Sequence, residues 1–214
     1  MSWAATSRES VTGASVFSQV MGLVAATLGF MALGAYLGRH LSGGASILCM
    51  ILGFVCIFGL NFVRGSGSPA VGLLLVTGLF LGLGLGGTLD AYASVSPGAV
   101  WQAAAATALF VAALGTVGYQ VQADLSPAYR VLSFLLFGLI AYGLVSLFVS
   151  MPAGNVIYAL LGLAVFGGYT LLDFNRLRRS GADDAVSIAA GIFVDVLNIF
   201  LFFLQLFGSG RGRD

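Results

Sequence analysis

"GIFVDVLNIFLFFLQLF", residues 191–207, decides how the chain is to be read. Thirteen of its seventeen residues are apolar, yet Asp195, Asn198 and Gln205 stand among them. A run of this length and character suits the hydrocarbon core of a bilayer, which is roughly 30 Å thick and is crossed by about 20 residues of helix. By the same measure the chain holds six more apolar segments, at 16–37, 46–63, 70–89, 99–120, 130–149 and 155–173, with 186–207 as the seventh. The 214 residues are 59% hydrophobic and 8% charged, with a mean hydropathy of +1.02, far from the usage of soluble domains. The expectation is an all-α integral membrane protein of seven transmembrane helices. It forms a single domain, 1–214, with a short polar N-terminal tail at 1–15 and a short C-terminal tail at 208–214. Connections this short place any function inside the helix bundle.

The first apolar run, 22 residues long, exceeds the apolar region of a signal peptide and no small-residue cleavage site follows it, so it reads as a retained helix. Cys49 and Cys56 lie seven residues apart on one predicted helix. That is about 10 Å along the axis, too far for a disulfide. The nine basic residues are all Arg. Arg8, Arg64, Arg130, Arg176, Arg178 and Arg179 fall on one side of the predicted topology, and Arg39, Arg211 and Arg213 on the other. Six against three places the N-terminus in the cytoplasm. Gly78, Gly82 and Gly86 recur every four residues on the third segment, and the fourth carries "AAAATALFVAALG" (103–115). Small residues on one face let helix backbones approach closely where lipid supplies no hydrophobic drive. A phosphate loop is excluded in "GLFLGLGLGG" (78–87), which lies in lipid and lacks the Lys-Ser/Thr ending.

A charge near the middle of a bilayer is expensive and marks either a functional site or a paired structural one. Asp195 is the clearest case. At helical spacing it lies on one stripe with Ser187, Gly191, Asn198, Phe202 and Gln205, whereas the other faces are Val, Ile, Leu and Phe. The seventh helix therefore turns a small and polar face toward protein or a water-filled cavity and an apolar one elsewhere. The plainer alternative is a neutral, hydrogen-bonded Asp195 that joins helices. Asp173, in "YTLLDFNRLRR" (169–179), is the second candidate: Arg176, Arg178 and Arg179 can snorkel to headgroups and leave it inside the apolar zone, or it can pair with Arg176 at i+3. Arg64, in "NFVRG", is on the same predicted side and is either a partner for a buried carboxylate or an anchor. Asp90 is expected to end the third segment, and Asp183 and Asp184 to lie in a solvated loop.

Several chemistries are excluded by what is missing. The single His, His40, lies in a loop beside Arg39, leaving a Ser-His dyad or a zinc site without base or ligands. The two intramembrane Asp lack the glycine-flanked contexts of an aspartyl protease pair, so the chain is not read as an enzyme, and no cofactor is expected. A net charge of +1 gives no support to nucleic-acid binding.

"YTLLDFNRLRR", followed by "AVSIAAGIFVDVLNIFLFFLQLFG" (185–208), resembles the last two spans of the Bax-inhibitor-one-like, or transmembrane Bax-inhibitor-motif, family, in its bacterial form. Weaker likenesses lie in "GLFLGLGLGGTLDAY" (78–92) and "TALF" (107–110). The chain departs from the family in having no proline between Pro69 and Pro97, where a Gly-Pro often kinks the third helix. The resemblance implies seven helices with a central helix 7 wrapped by the other six. It also implies a calcium-permeable, pH-sensitive leak pathway in the bacterial plasma membrane, working as a monomer on Ca²⁺ and protons. By position in the motifs it makes Asp173 and Asp195 the pH-sensing gate and possible contacts for Ca²⁺ when ionised. Arg64 is a neighbour of the pair, and Asn198 and Arg176 are supporting residues.

Two carboxylates a few ångströms apart in a low-dielectric site cannot both ionise cheaply, so they share a proton and titrate as a pair. With both charged they repel, and they offer oxygen ligands to a hard cation such as Ca²⁺. Helical rise places Asp195 about 16 Å into its span and Asp173 only about 5 to 9 Å. The pair then meets only if the seventh span begins with a bent or interfacial segment, for which "AVSIAAG" (185–191) is the candidate. Two other functions stay open: a regulatory scaffold that binds membrane proteins, with the Asp pair structural, and a proton-coupled exchanger.

Overall fold

The computed structural model describes residues 3–63, 67–146 and 154–209, with side chains from 15 onward within them except at 154, 155 and 209. It contains seven α-helices: α1 (Trp3–Leu37), α2 (Gly43–Gly59), α3 (Ser68–Val95), α4 (Pro97–Gln120), α5 (Ala128–Ser146), α6 (Gly154–Arg179) and α7 (Ala185–Ser209). Short 3₁₀ turns at Gly38–His40 and Ala182–Asp184 precede α2 and α7. Each helix overlies one of the predicted apolar segments, and no strand occurs among the described residues. Six helices are long and apolar enough to cross a membrane; α2, at 17 residues, is the short one. Its axial length is about 26 Å, just under the hydrocarbon thickness.

Helix ends follow local chemistry. Ser42 caps α2, its hydroxyl accepting from the Ala45 N–H. Pro97 opens α4 at a position where its missing N–H costs nothing. Its ring also disfavours helical geometry at Ser96, so α3 stops at Val95. Asp90 thus does not end α3; it is exposed, and the helix runs on past it. Likewise α1 reaches back to Trp3, so that most of the expected N-terminal tail continues the helix ahead of the apolar stretch that begins at Ser15. Hydroxyls inside the helices donate to the carbonyl one turn back, Thr27 to Leu23, Thr77 to Leu73 and Thr107 to Ala103 at 2.7 to 2.8 Å. This satisfies them where no water is at hand.

The described structure falls into two compact units. The first comprises Met1–Ala91 and Leu177–Phe193, the second Tyr92–Arg176 and Val194–Asp214. In the first, the glycine stripe of α3 packs on α1. A Cβ at Gly78 would lie 2.5 Å from the Thr27 carbonyl oxygen, one at Gly86 would lie 2.6 Å from that of Ala35, and one at Gly82 would overlap that of Met31. Gly34 and Gly38 face back toward the α3 backbone at Leu79 and Leu83. The close approach expected of Gly78, Gly82 and Gly86 is therefore made with α1, backbone to backbone.

In the second unit, Gly118 of α4 lies against the backbone of Leu171 on α6, and Gly115 against the Phe174 ring. A core of Leu139, Ala159, Leu163, Val165, Phe166, Ile199 and Phe202 joins α5, α6 and α7. Along α7 no described residue from Ala185 to Gly208 is exposed, although Leu, Ile, Val and Phe fill most positions. The polar stripe is thus not the helix's sole covered face; Ile188, Ile192, Phe193, Ile199 and Leu204 are buried too.

The helix α7 is unbroken from Ala185. Asp195 lies ten residues into α7 and Asp173 six residues before the end of α6, about 15 Å and 9 Å at helical rise. The 3₁₀ turn at Ala182–Asp184 rises about 2 Å per residue and can supply the difference of about 6 Å.

Candidate functional site

Within the second unit, α5, α6 and α7 each bring a polar side chain to one buried place. Tyr129 lies in the first turn of α5, Asp173 and Thr170 one turn apart on α6, and Asp195 near the middle of α7. Asp173 is 7% exposed, Asp195 4% and Thr170 fully buried. The Tyr129 hydroxyl donates to Oδ1 of Asp173. The Thr170 hydroxyl donates to the Phe166 carbonyl one turn back at 2.9 Å, close to the Asp195 carboxyl. Asp173, Asp195 and Tyr129 are close enough for the charge of each carboxyl to act on its neighbours. Among the described residues, Oδ2 of Asp195 is a buried oxygen without a hydrogen-bond partner. Leaving such an atom unpaired is costly if it carries charge.

Arg176, one turn beyond Asp173, lies within electrostatic reach of both Asp173 and Tyr129. The Asn198 amide donates to the Val194 carbonyl of its own helix at 2.8 Å. A polar side chain in an apolar helix finds its nearest acceptor one turn back, and that local bond takes the donor. Arg64 lies outside the described residues.

Two further residues hold the site in place. Asn175 is fully buried, and its amide nitrogen donates to the carbonyls of Val121 at 2.8 Å, Ala123 at 3.2 Å and Gly118 at 3.3 Å. Its oxygen accepts from the Leu125 N–H at 3.3 Å. One side chain on α6 thus ties down the connection that leads into Tyr129. Ser133 donates to the Tyr129 carbonyl at 2.8 Å and meets the Tyr169 hydroxyl at 3.3 Å, while the Tyr129 and Tyr169 rings pack at 6.1 Å. Sequence reasoning missed both Tyr129 and Asn175. Asn175 stood inside the quoted "YTLLDFNRLRR" as a polar residue amid apolar ones, a signal that could have found it. Tyr129, at the mouth of an apolar segment, looks like any interfacial tyrosine.

The pattern of the family described as "Inhibitor of apoptosis-promoting Bax1" matches residues 13–212. The chain belongs to this Bax-inhibitor-one-like family. It is similar to a family-sized protein of Chlamydia muridarum, 29% identical over 219 residues that cover 92% of each chain. A protein of Deinococcus radiodurans is 28% identical over 228 residues, 95% of this chain and 96% of the relative. A third, from Streptococcus pyogenes serotype M1 and named as a membrane protein, is 24% identical over 173 residues, 77% of this chain and 73% of its own.

Proposed function

We propose that the chain is a calcium leak channel whose opening is set by protons on the Asp173–Asp195 pair. The observation that carries this reading is the buried cluster itself, two carboxyls on adjacent helices with one oxygen of Asp195 unpartnered. With a proton between them the pair joins α6 to α7. With both charged they repel, and their oxygens, with the Tyr129 and Thr170 hydroxyls beside them, form the hard donor set that a passing Ca²⁺ accepts while keeping part of its water. The ion is cargo here, and the reading calls for no resident cofactor and no second subunit. Burial of α7 all round supports placing it at the centre, wrapped by the other six helices. Such a helix is the one whose displacement would open a path. The bacterial relatives support a plasma-membrane location, and the arginine distribution supports a cytoplasmic N-terminus.

The test is Ca²⁺ uptake into liposomes that contain only the purified protein. Uptake that changes with pH is expected. No uptake at any pH would return the chain to the scaffold reading, and obligatory proton counterflow would make it an exchanger.

A further inference from the structure

Each hydroxyl has one proton to give. That of Tyr129 goes to Oδ1 of Asp173, which is therefore an acceptor, and Arg176 adds a positive field at the same carboxyl. Both suit a negative charge on Asp173. Thr170 is arranged the other way. Its hydroxyl lies 2.9 Å from the Phe166 carbonyl, the same backward bond that Thr27, Thr77 and Thr107 make in their helices. With its proton committed there, Thr170 has none to give to the Asp195 carboxyl. The unpartnered Oδ2 of Asp195 is then the carbonyl oxygen of a neutral acid, far cheaper to leave alone in a buried site than half of a carboxylate.

We propose that Tyr129 is the positioning residue of the pair: by donating to Asp173 it fixes the negative charge there and leaves the shared proton on Asp195. This rests on the reading of the two carboxyls as a proton-sharing pair. Among the described residues, the polar groups near them include Tyr129 from α5 and Thr170 and Arg176 from α6, while the Asn198 amide on α7 donates back to Val194. The switch is then a one-proton event at a defined oxygen. Loss of the Asp195 proton to water creates the second charge, and with it the repulsion that the proposed gate needs.

Infrared difference spectroscopy of the full chain in lipid, across a pH step, reads the C=O stretch of a protonated carboxyl directly. The expected result is a titrating band that Asp195→Asn abolishes and Asp173→Asn retains. Tyr129→Phe keeps the ring packing against Tyr169 and removes only the donor, so the band should change frequency and titrate differently. A band lost in Asp173→Asn and kept in Asp195→Asn would overturn the assignment of the proton. A wild-type spectrum and titration in Tyr129→Phe would overturn the role of Tyr129. None of these readings depends on the ion conducted: the expected spectra without Ca²⁺ flux would sink the channel reading alone, and pH-dependent flux with the opposite spectra would sink this one alone.

Discussion

Asn175 is fully buried and uses both ends of its amide on backbone groups of the α4–α5 connection. Asn175→Ala removes at once an NH2 whose two protons are shared among three carbonyls and an oxygen that accepts from Leu125, and a buried polar group left without a partner costs about 1–3 kcal/mol. The variant should unfold several degrees below wild type in a thermal scan in detergent. An unchanged transition would mean that residues 121–125 are held by something else. The same region shows what a sequence does and does not disclose at this scale. Asp195 was legible because a carboxylate in an apolar run has no inexpensive explanation, and Asp173 because arginines mark where the membrane ends. Tyr129 and Asn175 were not, since their partners lie 44 and 50 residues away. Nothing in hydropathy reports which helices touch.

At the scale of helices, the α3 glycines announce close packing by their spacing, but a stripe of small residues does not name the helix that fills it. The contacts of Gly78, Gly82 and Gly86 are with the carbonyls of α1. A methyl group at Gly82 must displace the Met31 carbonyl, a backbone atom that cannot swing aside. Gly72, on the same helix, has open space around it. Gly82→Ala should therefore destabilise by about 1–3 kcal/mol, the range for overpacking. Gly72→Ala should be neutral or stabilising by up to about 1 kcal/mol, the gain in helix propensity. Thermal unfolding of the two variants side by side is the check, and equal effects would contradict the packing described. The entry to α7 is another element-scale lesson. Depth counted along two helices suggested an extra bent segment, whereas one 3₁₀ turn of three residues has the reach to bring Asp173 and Asp195 level.

For the whole molecule, composition alone announced a helical membrane protein, because long apolar helices are among the few structures lipid tolerates. It did not announce that α2 would be short or that α7 would have no exposed side chain among its described residues. A helix covered on all faces and a helix facing lipid can be equally apolar, so only packing separates them. Orientation rests on where the arginines fall, and a reporter placed in the 180–184 connection that follows Arg176, Arg178 and Arg179 should be cytoplasmic; finding it outside would reverse the topology. The central claim concerns the two carboxyls and is tested most directly by Ca²⁺ uptake from about pH 5 to pH 8, in liposomes holding wild type, Asp173→Asn, Asp195→Asn or the double variant. Uptake by wild type should change with pH. Each single variant should lose most of that dependence, and the double variant should add little, since residues acting as one unit are not additive. If both single variants keep the wild-type pH curve, the gate does not lie at Asp173 and Asp195.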